Sequence, residues 1–270
     1  MVNSKISILL LNLILFSLTS CSALLQSNTS VDMNVLNMSL GEVNKLKSQY
    51  GTLEPYDPKS VLVNNVSQRI YPILMNYLRE KNRENLLPKY EVSVIKNPSV
   101  DCYGLGGGIV VMHSGLLNYL QSEDEIAIMI THELAHEIQQ HSYKKLNSSF
   151  LTQIGASLIS GTVSDEDKYK ELYLSAFGVT SSAFGGMKFD KKTDLEADRL
   201  TMIIISKAGY NPMAVMSIVN KLEQLESTGQ KITFLEIHPY TRQKHEEIQK
   251  GLEKYYNKYY LPAIGGQTGI

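Results

Sequence analysis

The first pattern along the chain is a mostly apolar run from Ile6 to Leu18, ISILLLNLILFSL, preceded by Lys5 as the only charge. It is too short to cross a hydrocarbon layer of roughly 30 Å and suits the core of an export signal. Ser22 to Ser30 is small and polar and predicts a tether, with ordered chain from Val31. Between Lys59 and Glu84, Leu62, Val66, Ile70, Ile73, Leu74, Tyr77 and Leu78 recur at threes and fours, which predicts an amphipathic helix with Pro72 as a kink point. Tyr90 to Ile95 alternates and is rich in β-branched residues, a strand that Asn97-Pro98 ends. Gly104 and Gly106 to Gly108 lead into a second short strand, Ile109 to Met112, and a short helix begins at Gly115. Ser122-Glu123-Asp124-Glu125 reads as a capping box and predicts a helix from about Glu123 to Ser142, with Ile126, Ala127, Ile130, Leu134 and Ile138 as its apolar stripe. Further helices are predicted near Ser149 to Ser160, Glu166 to Ala176, Lys191 to Ala208, Pro212 to Ser227 and Thr241 to Tyr260. Many helices around a few short strands predict an α+β fold, mostly helical, with a small β-sheet.

With 270 residues, 43% hydrophobic and 20% charged, the chain is large enough for one good core. A net charge of −1 with scattered lysines excludes a nucleic-acid partner, which would need a basic face. The glycines before Ile109 are not a phosphate loop: its lysine and hydroxyl are missing, and these glycines enter a strand instead of leaving one for a helix. The chain has two cysteines. Cys21 follows Leu18-Thr19-Ser20, and this LTSC resembles the bacterial lipobox, whose cysteine is lipidated and becomes the mature N-terminus. That resemblance implies a signal peptide over residues 1–20, a lipidated tether over 21–30 and a folded body over 31–270. It further implies an exported bacterial lipoprotein anchored to the membrane through Cys21. Ser22 is compatible with the periplasmic face of the outer membrane in a cell with two membranes. Cys102 is then the one remaining thiol, so no intramolecular disulfide is available, and no thiol-enzyme motif surrounds it. A buried apolar role is expected for it.

The chemistry concentrates in Thr131 to His141, THELAHEIQQH. Residues four apart on a helix share a face, so His132 and His136 can meet one metal ion, while Glu133 lies roughly 100° around, placed to take a proton from water. A hydrolytic zinc site needs a third protein ligand and an open position for water. A satisfied pair of helix histidines is the alternative reading of these letters. Downstream, KKTDLEADRL places Asp194 and Asp198 on one helix face, as a carboxylate ligand and an acceptor for a ligand histidine one turn later. Glu196 projects about 200° away from Asp194 and is the alternative third ligand.

HELAHEIQQH, the later DLEADR, the upstream GGGIVVMHSGLL and AGYNP at Ala208 to Pro212 together resemble the HtpX-like and BepA-like gluzincin metallopeptidases, peptidase family M48, over roughly Val61 to Ile248. The resemblance implies a single gluzincin-type metallopeptidase domain over 31–270, with the small sheet beside the HExxH helix, one Zn2+, and His132, His136 and a carboxylate as its ligands. Where the family has glutamate in ExxAD, this chain has Asp194, a shorter arm; Asp194 is preferred to Glu196 because it alone shares a face with Asp198. His238-Pro239 resembles the family's HP segment, which implies that His238 approaches the metal from a loop and either blocks the water position or assists the reaction. Ile109, Val110, Val111 and Met112 are expected to form an edge strand against which an extended substrate pairs. His113 and His141 are expected to be structural or solvent-facing. The family implies a zinc endopeptidase in cell-envelope quality control, with unfolded or misassembled envelope proteins as substrates. The competing class is a non-catalytic envelope lipoprotein, a chaperone or assembly factor keeping a metal-stabilised scaffold; intact Glu133 speaks against it, because a structural zinc needs no base.

Overall fold

The computed structural model describes residues 33–149, 166–179, 186–238 and 242–265. The expected leader and tether, with Cys21, and most of the helix expected at Ser149 to Ser160 lie outside these residues. In chain order the main elements are α1 (Met33–Tyr50), α2 (Pro58–Arg79), β1 (Glu91–Ile95), β2 (Cys102–Gly104), β3 (Ile109–His113), α3 (Glu123–Ile138), α4 (Glu166–Ala176), α5 (Lys191–Lys207), α6 (Val215–Ser227), α7 (Thr233–Ile237) and α8 (Arg242–Tyr255). The fold is α+β, mostly helical around one small mixed sheet. Helix α1, the short strand β2 and the five-residue α7 were not expected from the pattern; the last two are too short to show a period.

The strand order is β1-β3-β2, with β1 parallel and β2 antiparallel to β3. This corrects the edge-strand expectation: Ile109, Val110, Val111 and Met112 form the central strand, paired on both sides and fully buried. Val110 and Met112 pack into a core with α2, α3, α5 and α6, while Ile109 and Val111 pack into a second core with α1 and α4. A strand covered on both faces reads as an unbroken apolar run, as IVVM does, where a half-exposed edge alternates. The outward N–H groups of β2 are also engaged, Cys102 N–H by the Asp101 carboxylate and Gly104 N–H by Glu133.

Helix α3 begins as its sequence predicts: the Ser122 hydroxyl accepts from Glu125 N–H, and the Glu125 carboxylate accepts from Ser122 N–H. Its buried surface is wider than the expected stripe, since every residue from Glu125 to Ile138 is buried. The helix also stops earlier than predicted. Gln140 takes a left-handed φ of 59°, and the chain sets off again as a separate helical stretch over 141–149. Before β3 the glycine loop is tied down by the Ser39 and Tyr173 hydroxyls, which both bond the Leu105 carbonyl and so link α1 and α4 to it. Gly108 has φ +89°, and a Cβ there would overlap the Lys89 carbonyl. Gly108→Ala therefore combines a left-handed strain with a backbone clash and is expected to destabilise by at least ~2 kcal/mol. Urea unfolding measures this; an unchanged midpoint would contradict the loop geometry.

Candidate metal centre

Two helices and one short helix end converge. Helix α3 carries His132, Glu133 and His136; the first turn of α5, capped by Asp190, carries Asp194; and His238 directly follows α7. An isolated β-bridge between Val100 and Ile232 ties the start of α7 to the chain leading into β2, and Phe189 N–H donates to the Ile237 carbonyl at its end. One donor atom from each of His132, His136, Asp194 and His238 lies within 4.8 Å of all the others, and all four residues are buried. His132 Nε2 is 3.1 Å from His136 Nε2 and 3.2 Å from His238 Nδ1. Asp194 Oδ1 is 3.4 Å from His136 Nε2 and 3.1 Å from His238 Nδ1.

The donor chemistry fits a divalent cation. Asp198 Oδ1 accepts from His132 Nδ1 at 2.9 Å, which leaves His132 Nε2 as a lone pair aimed into the cluster. Burial holds the His136 imidazole well below its ordinary pKa, so it stays neutral and can offer a lone pair as well. Two imidazole lone pairs and a carboxylate oxygen pointing at one dry spot repel one another unless a positive charge sits between them. Nitrogen and oxygen donors in this number suit zinc.

Glu133 stands beside the cluster. Its Oε2 accepts from Gly104 N–H at 3.1 Å, and its Oε1 faces His238 Nε2 at 3.3 Å. One turn on, Glu137 accepts from Gly106 N–H at 3.1 Å and from Gly108 N–H at 2.8 Å. Burial pushes the Glu137 carboxyl up to about 8 despite these two bonds. The glycine loop is therefore a row of amide donors for two helix carboxylates, a close approach that a Cβ at Gly104, 3.2 Å from Glu137 Oε1, would crowd.

Of the predicted residues, the structure brings His132, His136, Asp194 and His238 together, sets Asp198 behind His132, and turns Glu196 away to His141. His113 and His141 are both buried, His113 against the Ser99 hydroxyl and His141 against His136 and Glu196. Cys102 is buried, and burial raises its thiol pKa well above the ordinary value. Sequence reasoning missed Glu137, Phe189 and Phe234. The Phe189 ring lies 3.8 Å from that of His136, and Phe234 stacks on His238 at 4.5 Å. Glu137 reads as an ordinary helix glutamate until the distant glycine loop meets it, and nothing in the local sequence marks the phenylalanines.

Residues 63–251 match the model of peptidase family M48. Mitochondrial metalloendopeptidase OMA1 of Schizosaccharomyces pombe is 26% identical over 224 residues, covering 80% of this chain and 60% of that protein. The protein of the same name from Arabidopsis thaliana is 24% identical, covering 67% of this chain and 36% of its own length. The beta-barrel assembly-enhancing protease of Escherichia coli is 24% identical over 181 residues, covering 62% and 37% respectively. The chain thus spans 36% to 60% of the length of these curated relatives.

Asp101 lies next to the site, and burial, with the nearby Glu133 charge, raises its carboxyl to about 8. The folded state then holds this proton more tightly than the unfolded chain. Its contribution to stability is complete below about pH 4 and is lost as pH rises through about 8. Asp101→Asn keeps an oxygen for Cys102 N–H and cannot ionise. In chelator, it is expected to flatten the pH dependence of the urea midpoint and to be the more stable protein above about pH 8; parallel profiles would show that Asp101 does not titrate with folding.

Proposed function

The chain belongs to peptidase family M48, and on that premise we propose that it is a zinc-dependent endopeptidase acting on unfolded or misassembled proteins of the cell envelope. The observation that carries this reading is the convergence of His132, His136 and Asp194 beside a carboxylate, Glu133, that is anchored through one oxygen only by a backbone amide. One Zn2+ held by those three residues would acidify the attacking water and polarise the scissile carbonyl. Glu133 accepts the water proton at Oε1 and returns it to the leaving amine nitrogen. Gly104 N–H, on Oε2, keeps the carboxylate from rotating away from the cluster. Asp198 fixes the tautomer and ring plane of His132.

The setting is part of the proposal. The apolar run, the LTSC at Cys21 and the polar stretch after it support an exported bacterial lipoprotein: signal peptide 1–20, lipidated tether 21–30, catalytic domain 31–270. In a cell with two membranes we place it on the periplasmic face of the outer membrane. Among the described residues no helix is long and apolar enough to cross a membrane. The names of the relatives, a metalloendopeptidase and a beta-barrel assembly-enhancing protease, support protein substrates and envelope quality control.

The position of His238 favours a second, related reading. Its Nε2 is 3.3 Å from Glu133 Oε1 and its Nδ1 3.1 Å from Asp194 Oδ1, so its ring occupies the space between base and donors. This supports a latched enzyme that must move His238 before water and substrate enter.

Zinc content and casein cleavage, measured side by side, test both readings. Glu133→Gln is expected to keep its metal and lose cleavage by about 10²- to 10⁴-fold. A zinc-loaded parent that never cleaves, with a His238→Ala variant equally silent, would replace the endopeptidase with a metal-stabilised scaffold. His238→Ala is expected to raise cleavage if the residue is a latch; a fall in cleavage would make it an assisting group instead.

A further inference from the structure

Behind His136, on the side away from the donor cluster, runs a row of polar atoms with no assigned role. His136 Nδ1 is 3.0 Å from His141 Nδ1, and His141 Nε2 is 3.2 Å from Glu196 Oε2. The chemistry at the ends of this row dictates where its protons lie. A carboxylate only accepts, so His141 carries a proton on Nε2 and donates it to Glu196. His141 is 1% exposed, and a second proton would place an imidazolium in a dry site, so its Nδ1 is a lone pair. Two ring nitrogens 3.0 Å apart need a proton between them, which His136 must then supply from its own Nδ1. His136 Nε2 is left with its lone pair facing His132 Nε2 at 3.1 Å and Asp194 Oδ1 at 3.4 Å.

We propose that His141 and Glu196 are positioning residues for the metal site, a relay that fixes the tautomer and ring orientation of His136 as Asp198 fixes those of His132. The proposal rests on the metal-site reading above. The backbone is shaped for it. In an unbroken helix His141 would project roughly 140° around the axis from His136. The left-handed Gln140 ends α3 and turns His141 back onto His136. The Phe189 ring, 3.8 Å from His136 and 6.4 Å from His141, packs an apolar surface against both imidazoles. The two ligand histidines are nonetheless backed unequally. His132 meets a buried carboxylate directly, whereas His136 meets a neutral imidazole whose own acceptor, Glu196, has a side chain 34% exposed.

The test is zinc affinity, read by competition with a chromophoric chelator on the full chain and its variants. His141→Ala is expected to weaken zinc by about 10- to 100-fold. His141→Asn, whose amide oxygen can accept from His136 Nδ1, should recover most of that loss. Glu196→Ala should weaken zinc less than His141→Ala, and Glu196→Gln, which still accepts from His141 Nε2, should bind as the parent does. Melting with and without chelator separates this from a merely structural contact. In Glu196→Ala the chelated Tm should match the parent while the zinc-induced rise shrinks; the opposite pattern overturns the relay. Parental affinity in both alanine variants also overturns it. A parent that binds no zinc overturns the metal-site reading and the relay with it. If His141→Ala does not fold, the Glu196→Ala and Glu196→Gln pair decides alone.

Discussion

The rest of the structure answers to one constraint: Glu133, Glu137, Asp194 and Asp198 are held out of water together with His132, His136 and His238. An unpartnered ionisable group in such a place costs several kcal/mol, so each of these groups has to find a hydrogen-bond partner or a counter-charge within the fold. The partners come from three directions. The amides of Gly104, Gly106 and Gly108 serve the two glutamates, Asp198 serves His132, and His141 with Glu196 serves His136. What is left over, two lone pairs and a carboxylate oxygen turned inward, is a request for a cation. The candidate metal site is thus where this polar network leaves donor atoms facing one another without a positive charge.

The same constraint accounts for the glycine loop and for the layering of the sheet. Helix α3 can press its carboxylates onto this backbone because Gly104 has no Cβ to crowd Glu137, while the glycines at 106–108 let the loop pass close to α1, α4 and Lys89. The loop in turn is held from the other side by Ser39 and Tyr173 on α1 and α4. The sheet is therefore buried on both faces, and β3, its middle strand, has no room to act as a binding edge. His238 sits at the end of a five-residue helix, whose last bond its own N–H makes to the Phe234 carbonyl, and its ring stacks against Phe234 and Phe189.

Much of the site was legible in the chain because it obeys local rules. The i, i+4 spacing of His132 and His136 and of Asp194 and Asp198, and the capping box at Ser122, are properties of a single helix, and helical geometry carries them from letters to positions. The choice of Asp194 over Glu196 followed from the same rule, and in the structure it is Asp194 that faces the histidines. Local rules failed where a side chain's role depends on a partner far along the chain. Glu137 looks like an ordinary helix glutamate until the loop at Gly106 and Gly108 is brought against it. His141 looks like the last turn of a helix until Gln140 reverses the backbone.

The sequence by itself determined the longer amphipathic helices such as α2, α5 and α6, the metal-seeking face of α3 and the carboxylate face of α5, because spacing within one element survives any packing; the ordered motifs along the chain carried the likeness to a metallopeptidase family. Only the tertiary structure decided that IVVM is a central strand, that Glu196 turns to His141, that His238 lies between the base and the donors, and that the amides of Gly104, Gly106 and Gly108 meet two carboxylates. Each of these depends on which surfaces close over one another when the core excludes water, and a one-dimensional pattern carries the period of an element without its neighbours.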